Sequence, residues 1–244
     1  MKFKKTASGS IAYSEQTPQE IEVTWFGVDF WRARSAITGS SKGRYTTWFV
    51  DASQLAATQQ QWVLRHYYRG GLIEKLSRDQ YLFTGLDRTR AVAELALLEN
   101  LYQQGFPVPK PIAANVERKG ICYRADLIIE RVEGAEDLVA RLSKSAMTAE
   151  QWQSLGRCIA RFHNHGVYHA DLNAKNILIT SEQFYLIDFD RGEIRAPKAD
   201  WQQSNIDRLL RSFRKELAKL PQLAFTEADW QHLYHAYHGA LAKK

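Results

Sequence analysis

His169-Ala-Asp171-Leu-Asn173-Ala-Lys-Asn176 and, after an apolar stretch, Ile187-Asp188-Phe189-Asp190 set carboxylates and a carboxamide in a fixed order. Phosphoryl transfer from a nucleotide asks for that set. One carboxylate accepts the proton of the attacking hydroxyl, while a second carboxylate and an amide oxygen hold a hard divalent ion against the phosphates. On this reading Asp171 is the catalytic base or orients the substrate. Asn176 and Asp188 are the Mg²⁺ ligands, ATP is the donor, and His169 braces the loop. Any one of these residues alone would be an ordinary turn cap. The whole constellation, placed between apolar strands and after a long helix, points to chemistry.

The phosphates also need a cation and a carboxylate to position it. The segment Trp62-Val-Leu-Arg65-His-Tyr67 reads as a strand offering arginine, which stays protonated and grips phosphate with two donors. Glu94, in the apolar-striped segment that follows, is its expected partner. Gly39-Ser40-Ser-Lys-Gly43 reads as a glycine-bearing turn whose N–H groups cover phosphate oxygens. Gly39, Ser40, Gly43, Arg65 and Glu94 are therefore the nucleotide-binding candidates.

The elements that must carry these residues are α+β. The first part is β-rich, with Thr46–Val50 and Trp62–Tyr67 as strands. Thr17-Pro18-Gln19-Glu20 has the form of a capping box, and a short helix runs through Trp25, Phe26, Phe30 and Trp31. Asp87 is expected to cap a helix running to about Gln104, with Val92, Leu95, Leu98 and Leu101 inward and Gly105 ending it. Pro107, Pro109 and Pro111 predict an extended connection, followed by strands at 121–123 and 127–130. Val132-Glu-Gly134 reads as a linker. Beyond it, Thr148-Ala-Glu-Gln151 opens a helix carrying Trp152, Leu155, Ile159 and Phe162. Two short strands, 177–179 and 184–187, and helices near 204–220 and 226–241 close the chain. The division is a β-rich lobe over 1–131 and a helical lobe over 132–244.

Composition sets few further bounds. The chain has 244 residues, 45% hydrophobic and 25% charged, with a formal charge of +6. An excess of that sign suits an anionic partner. Cys122 and Cys158 read as reduced, buried thiols, with no zinc spacing around them. No apolar run spans a bilayer, and the start MKFKKTASGS has no signal-peptide core, so the chain is expected on the cytoplasmic side. No nucleic-acid motif is present, and the oligomeric state is not encoded in any visible pattern.

Asp188-Phe189-Asp190 lacks the glycine that follows aspartate and phenylalanine in protein kinases. Ala-Pro-Glu is missing, and Asn173 stands where protein kinases usually carry lysine. A small-molecule or glycan acceptor fits better than a protein. Gly39-Ser-Ser-Lys-Gly-Arg, Leu64-Arg-His-Tyr-Tyr-Arg-Gly-Gly71, Pro107-Val-Pro-Lys-Pro-Ile-Ala113 and the two catalytic segments resemble the bacterial 3-deoxy-D-manno-octulosonic acid (Kdo) kinases, a lipopolysaccharide-core branch of the protein-kinase-like superfamily. In that family arginine in place of the strand lysine is normal. The resemblance implies a two-lobed protein-kinase-like fold and ATP-dependent phosphorylation of the 4-hydroxyl of a Kdo residue on a lipid A precursor. It also implies peripheral work at the cytoplasmic face of the inner membrane. A heptose or aminoglycoside kinase, and a lipid-binding pseudokinase, are the alternatives. Retention of Asp171, Asn176 and Asp188 together argues against the last. Arg208, Arg211 and Lys215 are read as one solvated face of a late helix.

Overall fold

The computed structural model describes residues 1–15, 17, 20–42, 46–55, 60–69 and 79–242. They make a sheet-based N-terminal unit and a helical C-terminal unit. The first comprises Met1–Gly105 with Pro109–Glu133, the second Phe106–Val108 with Gly134–Lys244.

In the first unit, strands β1 (Lys2–Lys5), β2 (Gly9–Tyr13), β3 (Ile37–Lys42), β4 (Thr46–Asp51), β5 (Gln61–His66), β6 (Tyr81–Leu82), β7 (Pro111–Lys119) and β8 (Cys122–Glu130) form one antiparallel sheet. Its order is β1-β2-β7-β8-β5-β4-β3, with β6 paired to the start of β8. Alternation along each strand gives the sheet two apolar faces. On one face Ala12, Ala114, Val116, Ala125 and Leu127 pack with Ala91, Val92 and Leu95 of helix α2 (Arg90–Gln103). On the other, Ile11, Val50, Trp62 and Ile128 pack with Trp25 and Trp31. Trp31 lies in helix α1 (Val28–Arg32), and Trp25 lies in the 3₁₀ turn Val23–Phe26. The ring of Trp62 lies 5.8 Å from each of those two indoles. Each such burial contributes about 3 kcal/mol.

Several local expectations shift. Gly39 and Ser40 are not in a turn. They lie within β3, opposite Phe49 and Trp48 of β4, with a register irregularity just before Gly39. Gly43 lies outside the described residues, as do Pro18 and Gln19 of the first capping box. Asp87 does not cap the long helix. It sits in a 3₁₀ turn, Leu86–Arg88, and α2 starts at Arg90 after Thr89. Pro107–Ala113 is not a bare connection, because β7 starts at Pro111, where a missing N–H leaves no ladder bond unmade. Its Ile-Ala-Ala run has weak strand propensity, and pairing on both sides overrides it. Residues 122–130 form one strand rather than two, and Ile121 lies in the turn before it.

The second unit contains β9 (Glu136–Asp137), α3 (Leu138–Lys144), α4 (Ala149–Asn164), β10 (Val167–Tyr168), β11 (Ile177–Ile179), β12 (Phe184–Leu186), β13 (Glu193–Ile194), α5 (Ala199–Lys219) and α6 (Glu227–Ala240). Thr148 and Gln151 close the expected capping box on α4, and Thr226 and Asp229 close a second on α6. Trp152, Leu155, Ile159 and Phe162 are buried as their spacing predicts. Gly156 permits the close crossing of α4 on α6, since a Cβ there would sit 2.3 Å from the Leu233 carbonyl oxygen. Cys122 and Cys158 are free thiols, each only partly buried.

Candidate active site

The catalytic segment is a loop pinned at both ends. The two-residue ladder β10–β13 pairs Val167 with Ile194 and Tyr168 with Glu193 at its base, and the hairpin β11–β12 follows Asn176. Inside it His169 is 1% exposed. Its Nε2 lies 2.9 Å from the Ile187 carbonyl, and its Nδ1 accepts the Asp171 N–H at 3.2 Å. Burial pushes its pKa down, so the ring is neutral and holds its proton on Nε2. The imidazole thereby ties the backbone of Asp171 to the residue before Asp188. Phe189, fully buried, packs 4.8 Å from the same ring. His169 braces the loop.

Asn173 organises the next turn. Its Oδ1 accepts the N–H groups of Lys175 and Asn176, capping the 3₁₀ turn Ala174–Asn176. Its Nδ2 donates to the Asp171 carbonyl at 3.0 Å and to Asp171 Oδ2 at 3.2 Å. The other carboxylate oxygen of Asp171 accepts Nη1 of Arg208 at 2.8 Å. Asp171 is thus held at both oxygens yet remains 57% exposed, open to an incoming hydroxyl.

Asn176 and Asp188 come together through hairpin register. Ile177 pairs with Leu186, and the Ile187 N–H donates to the Asn176 carbonyl at 3.0 Å, so Asp188 follows directly at the same end. Asp188 adopts φ +62°, a left-handed conformation that aspartate tolerates better than most residues and that turns the chain sharply after β12. Asn176 Nδ2 is committed to the Asp171 carbonyl at 3.0 Å, while its Oδ1 accepts no hydrogen bond from the described residues. An amide oxygen and a carboxylate with no sulfur or imidazole donor fit a hard ion such as Mg²⁺. Among the described residues no three His, Cys, Asp or Glu side chains converge as a closed metal cage. Two protein oxygens leave coordination positions for phosphate oxygens and water.

Helix α5 is the part that sequence reading missed. Asn205 Oδ1 accepts the His169 N–H at 3.3 Å, Ser212 Oγ accepts the Ala174 N–H at 2.9 Å, and Glu216 pairs with Lys175 at 3.4 Å. With Arg208 they occupy positions i, i+3, i+7 and i+11, one stripe along the helix. The expected solvated face is corrected for Arg208, which faces the catalytic loop. The missed signal was those polar residues at apolar-stripe spacing, beside Leu209 and Phe213.

In the sheet unit, Arg65 projects from β5 opposite Leu127 of β8. Its guanidinium pairs with Glu94 of α2, whose side chain is 1% exposed. Tyr67, also buried, donates its hydroxyl to the same Glu94 oxygen and lies 4.7 Å under the guanidinium. Burial raises the Tyr67 pKa well above its usual value, so it stays a donor. The structure joins Arg65 to Glu94 as expected and adds Tyr67. Gly39 and Ser40 belong to the β3–β4 hairpin of this unit and are not in contact with that pair in any described interaction.

The description "Lipopolysaccharide kinase (Kdo/WaaP) family" belongs to a family model that matches residues 28–237. A 3-deoxy-D-manno-octulosonic acid kinase of Mannheimia succiniciproducens is 47% identical over 214 residues, covering 85% of this chain and 87% of that protein. Proteins of the same name from Actinobacillus succinogenes and Vibrio vulnificus are each 42% identical. The first covers 90% of this chain and 92% of its own length, the second 93% and 94%. A solved structure, WaaP in complex with acyl carrier protein, shares the fold with TM-score 0.54 at 13% identity, covering 94% of this chain and 88% of that one.

Proposed function

The chain belongs to the lipopolysaccharide kinase (Kdo/WaaP) family, and from that premise we propose that it transfers the γ-phosphoryl group of ATP to the 4-hydroxyl of a Kdo residue on a lipid A precursor. The coarser statement stands on close relatives over nearly the full length: the chain is a kinase that phosphorylates Kdo in lipopolysaccharide core biosynthesis. The acceptor position, the lipid A precursor, the Mg²⁺ requirement and peripheral work on the cytoplasmic face of the inner membrane are parts of the proposal.

One observation carries the chemistry. Asp171 is fixed through both oxygens by Arg208 and Asn173, one turn ahead of the Asn176–Asp188 oxygen pair. In that arrangement Asp171 receives the acceptor hydroxyl and takes its proton as the new O–P bond forms and the bridging P–O bond to the γ-phosphorus breaks, releasing ADP. Asn176 and Asp188 would hold Mg²⁺, whose charge offsets that of the phosphates. Arg65, kept in place by Glu94 and Tyr67, would grip nucleotide phosphate, and the β3–β4 hairpin with Gly39 and Ser40 would cover it. The test is an acceptor panel with Mg-ATP: Kdo-lipid A precursor, heptose-containing core fragments and an aminoglycoside, with products read by mass spectrometry and the position by NMR. Phosphate on O4 of Kdo is expected. Reaction only with heptose or aminoglycoside acceptors would overturn the substrate, and phosphate elsewhere on Kdo would overturn the position.

A further inference from the structure

Two hairpin turns meet at one end of the sheet unit. In the β1–β2 turn the Thr6 N–H bonds the Gly9 carbonyl, and the Arg118 N–H of β7 bonds the Ser8 carbonyl at 2.7 Å. The β7–β8 turn carries Gly120 at φ +60°. Between them lies a cavity of about 440 Å³, floored by Phe83 and Val116 and edged by Lys5, Thr6, Ser8 and Arg118. Gly9 keeps the strands close there, since a Cβ would meet the Val116 carbonyl oxygen at 1.9 Å.

The chemistry of the rim is one-sided. Register places Lys5, Ser10 and Val116 in one row, and Arg118 follows two residues on, so the cations share a sheet face. Neither Lys5 nor Arg118 has a carboxylate partner among the described residues; Arg118 instead lies over the Phe83 ring at 4.2 Å and donates Nη2 to the Gly120 carbonyl at 3.4 Å. Glu117, the adjacent acid, points to the opposite face by strand alternation. Thr6 Oγ1 is buried at the cavity and makes no hydrogen bond. Two cations without a carboxylate partner and an unused hydroxyl around one cavity form a site for a phosphate group. One flank is apolar. Ile121, next to Gly120, is 76% exposed, and the Phe83 N–H bonds its carbonyl at 2.9 Å, which ties it to the cavity floor. Leu82, 63% exposed, pairs with Cys122 and lies on the opposite face of the sheet.

A soluble phosphate compound has no use for a bare isoleucine beside its site. A bilayer does, because its headgroups present phosphate just above acyl chains. We propose that this cavity takes the phosphate of an anionic phospholipid, and that Ile121 enters the interface beside it. That seats the hairpin end of the sheet unit on the membrane. The idea gives a surface to the membrane association proposed above and rests on that reading only for its purpose.

The test uses the full chain and vesicles of phosphatidylcholine with or without phosphatidylglycerol, holding neither Kdo nor ATP, so a wrong acceptor leaves the readout untouched. Binding to the anionic vesicles alone is expected, weakening with salt. Each of Lys5→Gln and Arg118→Gln should weaken it about fivefold, and the pair about 25-fold. Ile121→Ser should weaken it by about fivefold or more. The exposed cations Arg157 and Arg211, replaced together by Gln, serve as the charge control and should change binding little. Turnover of a soluble Kdo acceptor should stay at the wild-type level in the Lys5→Gln/Arg118→Gln protein. Equal loss from the Arg157/Arg211 control, no binding to anionic vesicles, or capture of free glycerol phosphate without vesicle binding would each overturn the proposal.

Discussion

Arg208→Met separates two roles that one contact could have. The Arg208–Asp171 pair is 48% and 57% exposed at its two side chains, so as a surface ion pair it contributes only about 0–1 kcal/mol to folding. Its removal should shift the melting temperature by no more than about 2–4 °C. Its value to turnover is larger. Without Nη1 at 2.8 Å, Asp171 Oδ1 loses its anchor, and Asn173 at 3.2 Å holds the carboxylate through the other oxygen alone. Misorientation of a base that must meet a hydroxyl at hydrogen-bond distance costs about 1.4–2.7 kcal/mol, which is about 10- to 100-fold in kcat. Arg208 touches neither Asn176 nor Asp188 in any described interaction, so the KM for ATP should stay put. Initial rates over a grid of ATP and acceptor concentrations, with a thermal melt on the same protein, give all three numbers. Arg208→Lys should recover part of the lost kcat, because it restores a cation though not the fork. An unchanged kcat in Arg208→Met would refute the positioning role. So would a proportional rise in the KM for ATP, or a lysine variant no better than methionine.

Other perturbations test neighbouring steps. Asp171→Ala should remove turnover by more than about a thousandfold while leaving nucleotide affinity near wild type, whereas Asp188→Ala should weaken Mg-ATP binding as well; isothermal titration beside rate assays distinguishes them. Glu94→Gln strips the charge from a carboxylate that is 1% exposed and opposite Arg65, at about 3 kcal/mol and a melting loss of about 6–12 °C. ATP affinity should fall with it, and intact ATP affinity would make Glu94 purely structural. Burial pushes the His163 pKa down to about 4, so the folded protein holds this ring neutral. Above pH 6.5 neither state is protonated there and the contribution is complete. As pH falls from about 6.5 to about 4 the unfolded chain alone takes up the proton, and up to about 3 kcal/mol of stability is lost. His169 shifts the same way. At His66 burial lowers the pKa, but Asp126 and Asp79 together raise it, so its effect has the opposite sign. Melts between pH 4 and 7 should show a shallower acid slope in His163→Gln; an identical slope would sink the assignment.

Sequence legibility followed how local the cause was. Asp171, Asn173, Asn176 and Asp188 fall in one 18-residue stretch, where local capping and hairpin register set most of the arrangement, so spacing predicts it. Helix α4 announces itself through Thr148/Gln151 and its regular apolar stripe. Three features depended on distant partners and were missed. The strand β7 owes its state to β2 and β8 on its flanks rather than to its own alanines. The β3 assignment of Gly39 and Ser40 needs the opposite residues Phe49 and Trp48. Arg208 is separated from Asp171 by 37 residues and reads as one more surface cation until the helix is laid along the loop.

Tyr67 shows why arginine at 65 is a coordinated choice. A guanidinium cannot give up its proton, so the buried Glu94 always faces a fixed cation. A buried carboxylate needs more than one donor to offset lost hydration. The Tyr67 hydroxyl supplies a further donor beside the arginine, and its ring lies under the guanidinium. Lysine at 65 would keep the charge but lose both the planar stacking on Tyr67 and the fixed fork. Arg65→Lys should therefore lower ATP affinity about tenfold here, although lysine is the usual strand cation elsewhere in the superfamily. Tyr67→Phe should produce a smaller loss in the same direction, and the double variant less than the sum, because the two side chains act on one carboxylate oxygen. Additive losses in ATP titrations would mean that Arg65 and Tyr67 contribute separately and that the three residues are not one unit.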